Sequence, residues 1–82
     1  MHSESLAQRV SGAVQRNVRA EMARSKASQT RLATSLGWTQ ASLSRRLNGY
    51  VPFTVEEVAA IAEYLRVPVA VLLGDEVLRA GA

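Results

Sequence analysis

The sequence predicts an all-α domain, and three observations carry that reading. Apolar residues recur every four positions at Leu6, Val10, Val14, Val18 and Met22, the spacing of one helical stripe. Hydroxyl residues suited to helix starts and glycines suited to helix ends then punctuate the rest of the chain: Ser28, Gly37, Thr39, Gly49, Thr54 and Gly74. No alternating apolar–polar segment is longer than a few residues, so no strand is expected.

The first helix is expected from about Leu6 to Arg24, opened by Ser5 with Gln8 three residues on, the pattern of a capping box. Gly12 costs about 1 kcal/mol relative to alanine there, so the first turns are expected to fray or stand apart. Ser28 caps a short second helix with Leu32, Ala33 and Leu36 inward, and Gly37 closes it. Thr39 caps a third helix from Gln40 to about Asn48, with Trp38 and Leu43 forming a hydrophobic staple across its start. Gly49 ends it, and residues 50–53 form a loop. Thr54 and Glu57 make a second capping box with a Phe53–Val58 staple, and Val55, Val58, Ile61, Ala62 and Leu65 form the inward face of the fourth helix. Val67-Pro68 stops that helix and opens a fifth, with Val69, Val71, Leu72 and Leu73, ending near Gly74. The tail from Asp75 to Ala82 either continues as helix or leaves the domain.

With 82 residues, the chain holds one small domain whose core is near the lower limit for independent folding. It has no cysteine to form a disulfide or thiolate metal site, and its one histidine, His2, stands at the terminus, so no metal and no cofactor are expected. No apolar run reaches a membrane span, and the first residues lack the basic and apolar blocks of a signal peptide. A cytoplasmic, nucleoid-associated location in a bacterial host cell is the resulting expectation. Nucleophile–base sets and glycine-rich phosphate loops are missing too, so the chain does not read as an enzyme.

The formal charge of +3 is unevenly spread. Every acid lies outside the stretch from Met22 to Val55, which contains Arg24, Lys26, Arg31, Arg45 and Arg46. A basic middle followed by an acidic end is the asymmetry expected when one face meets a nucleic acid. The third helix sharpens this. Leu43 and Leu47 share its buried side, while Gln40, Ser44 and Asn48 form one outward ridge and Ala41 and Arg45 the next. Gln, Arg and Ser can read base edges in the major groove, and Ala41 is small enough to approach a thymine methyl. Gln40, Ala41, Ser44 and Arg45 are therefore the base-reading candidates.

Phosphate candidates flank them. Ser28 and Gln29 sit at the start of the second helix, where free backbone N–H groups and the dipole favour an anion, with Arg31 in the same turn. Asn48, the Gly49 backbone and Tyr50 stand at the far end of the third helix. Arg46 is read as a flank residue reaching phosphate or simply solvated, and Tyr50 as a phosphate donor or a residue closing the core edge. Trp38 is read as packing.

The stretch "SQTRLATSLGWTQASLSRRLNG" followed by "PFTVEEVAAIAEYLRVPVAVLLG" resembles the lambda-repressor and Cro-like, or XRE, family of helix-turn-helix domains. Gln29, Leu32-Ala33, Gly37, Gln40, Leu43, Ser44, Leu47-Asn48-Gly49, Ile61-Ala62 and Leu65 carry the likeness, which covers about residues 14–74. It implies a compact five-helix lambda-repressor-like fold with the helix-turn-helix at helices two and three and the third as recognition helix. A double-stranded, palindromic DNA operator bound as a homodimer follows from the same likeness. So do a Gln29 that touches phosphate and braces Gln40, a Gln40 that reaches an adenine, and base contacts from Ala41 and Arg45. The loop at residues 50–54 departs from the commoner family pattern, and residues 1–13 have no counterpart. The expected organisation is an N-terminal extension at 1–13, the DNA-binding domain at 14–74 and a tail at 75–82. The function expected is a transcriptional regulator of the phage or prophage Cro-like or immunity-repressor kind, with no small-molecule ligand and no membrane partner. The alternative is an antitoxin-type module that masks a partner protein through residues 69–78.

Overall fold

The computed structural model describes residues 4–74. His2 and the 75–82 tail, including the last four residues of the alternative partner surface, lie outside the described residues. Five helices follow in order: α1 (Leu6–Ser25), α2 (Gln29–Leu36), α3 (Gln40–Leu47), α4 (Val55–Leu65) and α5 (Val69–Leu73). There is no strand among the described residues.

Local chemistry sets the helix starts. Ser5 Oγ accepts from Gln8 N–H at 3.1 Å while Gln8 Oε1 accepts from Ser5 N–H at 2.8 Å, the reciprocal pair the sequence predicts. Ser28 and Thr39 cap α2 and α3 singly, and Thr54 with Glu57 closes the second capping box on α4. α1 runs unbroken from Leu6 through Gly12, so its first turns do not stand apart from the rest of the helix. Its last helical residue is Ser25, one beyond the expected end.

The ends of α1 to α4 share one device. The closing residue adopts a left-handed conformation, and its N–H and the next one return to the last turn. Gly37 and Gly49 fill this position after α2 and α3, as expected of residues with no Cβ. After α1 and α4 it is filled by Lys26 and Arg66, whose φ angles are 57° and 59°. These are the two non-glycine residues with positive φ among the described ones.

Packing joins the five helices around one core. Val18, Leu32, Leu43, Ile61 and Leu72 are its fully buried large side chains, one from each helix. Met22, Leu47, Val58 and Leu65 surround them, with Leu36, Trp38 and Phe53 at the margin. α1 packs on α3, α4 and α5, while α2 lies against α3 and α4. Two expected core positions fail at helix starts. Val55 is 83% exposed and Leu6 is half-exposed, because first-turn side chains tilt toward the N-terminus and project past the end of the layer they would join. On α5, Leu72 is buried and Leu73 half-buried, but Val69 and Val71 are exposed, so that helix offers the core a narrower face than its composition suggests.

Candidate nucleic-acid interface

α2, the turn at residues 37–39 and α3 hold the candidate surface. Gly37, at φ 73°, lets Trp38 N–H reach back to the Ala33 carbonyl at 2.8 Å, which reverses the chain sharply enough to set α3 across α2. Leu43 and Leu47 then anchor α3 in the core. This places Gln40, Ala41 and Arg45 on the exposed side and Ser44 half-buried beside them. The four base-reading candidates thus share one outward face, in the arrangement the helical wheel predicts.

Two braces fix the pose of that face. Arg46 is one, and the structure directs it away from solvent. Its Nε and Nη2 donate to Glu57 at 3.2 and 3.3 Å, and its Nη1 donates to the Ser42 hydroxyl at 2.7 Å and carbonyl at 3.0 Å. The guanidinium also lies 4.4 Å from the centroid of the Trp38 ring. Arg46 is therefore a strut between α3 and α4, its guanidinium engaged by Glu57 and Ser42 in place of the phosphate expected from the sequence. The reason is its angular position: one residue on from Arg45 turns the side chain by 100°, toward the start of α4. Trp38 packs as expected, and gains this cation as a partner.

Glu57 makes this junction economical. Its Oε1 accepts from the Thr54 backbone N–H at 2.9 Å as well as from Arg46. Glu57→Gln keeps an oxygen for the cap and removes the charge facing Arg46, whereas Glu57→Ala removes both. Urea unfolding should give losses of about 0.5–1 kcal/mol for glutamine and about 1–2 kcal/mol for alanine. Equal losses would mean that the ion pair alone, and not the cap, holds the junction.

The second brace was invisible in the sequence. Arg19 of α1 donates to the Leu47 carbonyl at 3.3 and 3.2 Å and to Asn48 Oδ1 at 2.7 Å. Asn48 Nδ2 in turn donates to Ser44 Oγ at 3.3 Å. A chain of hydrogen bonds thus runs from α1, over the end of α3, onto the outward face. The cation also sits where the α3 dipole is negative, a favourable placement. No local pattern could reveal it, since Arg19 and Leu47 are 28 residues apart.

The phosphate candidates fare unevenly. Ser28 Oγ accepts from Arg31 N–H at 3.0 Å, which leaves its hydroxyl proton free to donate. Gln29 is half-buried beside it, but the residue that holds Gln40 is Thr30, whose hydroxyl donates to Gln40 Oε1 at 3.2 Å. The brace implied for Gln29 is thus shifted by one residue. Gln40 keeps its amide N–H groups and a second lone pair for a base edge. Asn48 is exposed and retains one amide N–H. The Gly49 N–H donates to the Arg46 carbonyl at 3.1 Å, so it closes α3 and is not offered to an anion. Tyr50 is 80% exposed and does not close the core edge, which leaves its hydroxyl accessible.

Charge also sorts differently in three dimensions. Glu21 hydrogen-bonds Arg24 at 2.8 Å, and that bond, with the carboxylate charge behind it, raises the Arg24 pKa further above its ordinary value. Glu57 takes Arg46. Of the five cations between Met22 and Val55, Lys26, Arg31 and Arg45 are left without an ion-pair partner among the described residues. No described helix is long and apolar enough to cross a membrane, and no group of three or more potential metal ligands occurs among the described residues.

A glycine-turned helix pair with an acid-free outward face on its second helix defines a helix-turn-helix DNA-binding domain. A helix-turn-helix family model matches residues 18–72, from within α1 to the last turn of α5. The chain belongs to this family, in its XRE, lambda-repressor and Cro-like form, and is a DNA-binding domain of the transcription-regulator type. No curated protein and no solved structure gives a significant match.

Proposed function

We propose that the chain is a sequence-specific repressor of the phage or prophage Cro-like or immunity kind, acting in the cytoplasm by occluding a promoter. α3 lies in the major groove, Gln40 and Arg45 hydrogen-bond base edges, Ala41 allows close approach and Ser44 supplements them. Ser28, Gln29, Arg31, Asn48 and Tyr50 contact the flanking phosphates and set the register. Two copies on a palindromic operator present their α3 helices about one turn apart, ~34 Å. The observation that carries the reading is the exposed face of Gln40, Ala41 and Arg45 on a helix braced by Arg19 and by the Arg46–Glu57 strut.

In vitro selection from a random duplex library, at about 0.15 M salt, tests it against the physiological range of screening. Enrichment of a palindrome with half-sites about 10 bp apart is the expected outcome. A single enriched half-site would replace the dimer by a monomer, and an unenriched library would sink sequence-specific recognition. The antitoxin-type reading draws on the exposed Val69 and Val71 of α5. It becomes the better account if the library stays unenriched while the chain co-purifies stoichiometrically with a protein made from a neighbouring gene.

A further inference from the structure

We infer that Lys26 and Arg66 join Arg31, already among the phosphate contacts at the start of α2, around one cleft, and that this cleft holds a backbone phosphate of the bound DNA. The inference rests on the DNA reading above and adds Lys26 and Arg66, from the ends of α1 and α4, to the surface that reading uses. An open cleft of about 300 Å³ is lined by Lys26, Arg31 and Arg66, with Ser25 and Tyr64 beside them. The three cations come from three places in the chain: the end of α1, the first turn of α2 and the end of α4. Among the described residues, no acidic side chain lines the cleft and none of the three has an ion-pair partner.

The backbone makes this convergence harder to dismiss. Lys26 and Arg66 are, among the described residues, the two that adopt left-handed φ without being glycine, at positions where glycine would fit without strain. A cation there does favour the helix dipole, but that gain needs no shared cleft. Here both strained positions place long basic side chains around one concavity, with Arg31 as the third wall. The position suits DNA. Thr30 joins the first turn of α2 to Gln40 on the outward face, and the next residue, Arg31, lines the cleft. A strand leaving the groove across the start of α2 would meet the cleft next.

Titrating salt against affinity measures the site directly, because each phosphate contact contributes about 0.9 to the slope of log K against log salt. The wild-type chain, a Lys26→Gln/Arg66→Gln pair and a Lys26→Gly/Arg66→Gly pair would be compared on the selected operator and on a random duplex of equal length. Both variant pairs should lower the slope by about 1 and weaken the two duplexes by the same factor at low salt, with the preferred sequence unchanged. The glycine pair relieves the left-handed strain, so a loss shared by both pairs, with melting temperatures at or above the wild-type value in the glycine pair, is not a folding loss. Wild-type slopes in both pairs would overturn the inference. So would inorganic phosphate raising the melting temperature of wild type but not of the variants while the DNA slopes stay equal, since the cleft would then serve a free anion. If wild type itself binds no duplex at low salt, the DNA reading falls first, and that outcome is recognisable because it precedes any comparison of variants.

Discussion

Replacing Leu43 by alanine is expected to lower folding stability by about 2–5 kcal/mol, the range for truncating a leucine with no room to relax. Leu43 is 0% exposed and is the side chain by which α3 enters the core. A chain of this size holds about 4–12 kcal/mol in total, so this one change removes a large share. Urea titration should show a lower midpoint at unchanged slope, the signature of a cavity without a changed unfolded state. DNA binding would then fall with the folded fraction, while the molecules that remain folded keep the same sequence preference. Val55→Ala is the informative contrast. Its side chain is 83% exposed, so it should change stability by less than about 0.5 kcal/mol although the helical pattern assigns both residues to inward faces. A loss below about 1 kcal/mol for Leu43→Ala would contradict the core anchoring of α3.

Arg45→Ala is expected to produce the largest change in recognition. Arg45 is exposed, carries its charge without an ion-pair partner among the described residues and stands beside Ala41 on the outward face. If it reads a guanine, the loss should be about 1–3 kcal/mol at one base pair, with specificity relaxed at that pair alone. Binding to random duplex should weaken far less. The comparison is made by measuring affinities for the selected operator, its single-base variants and random DNA at one salt concentration. Equal losses on all of them would turn Arg45 into a phosphate contact. Arg46→Ala is the natural partner experiment: its effect should appear in unfolding, because its donors go to Glu57 and Ser42.

The contrast between these adjacent arginines shows what the sequence could and could not convey. All five helices were legible because each carries its own start signal, and those signals are local: a hydroxyl with a partner three residues on, or a proline opening α5. The outward face of α3 was legible for the same reason, since Leu43 and Leu47 fix the rotation of one short helix. Helical periodicity says which way a side chain points but not where the neighbouring layer stops, which is why Val55 was misplaced. Ion pairs between elements left no local trace. The acid-free run from Met22 to Val55 was real in the sequence, yet Glu21 and Glu57 lie just outside it and take two of its five cations. Arg19 reaches the end of α3 across 28 residues, and nothing in its own surroundings marks it. Likewise, the bond from Thr30, in place of Gln29, to Gln40 depends on how α2 and α3 cross, a quantity fixed only when the whole core assembles.

The division of labour along α3 has a consequence for how such a domain can change over time. Leu43 and Leu47 fill the core, Arg46, steadied by Ser42, ties the helix to α4, and Gln40 and Ser44 each share a hydrogen bond with another polar side chain. Ala41 and Arg45 have none of these duties among the described residues. They form a pair of positions at which heritable variation meets little structural resistance, so that, with the base-reading roles proposed above, a lineage would move from one target to another by small steps while the fold is kept. Randomising those two residues alone should yield a collection of folded proteins with divergent sequence preferences, drawn from a single unaltered scaffold.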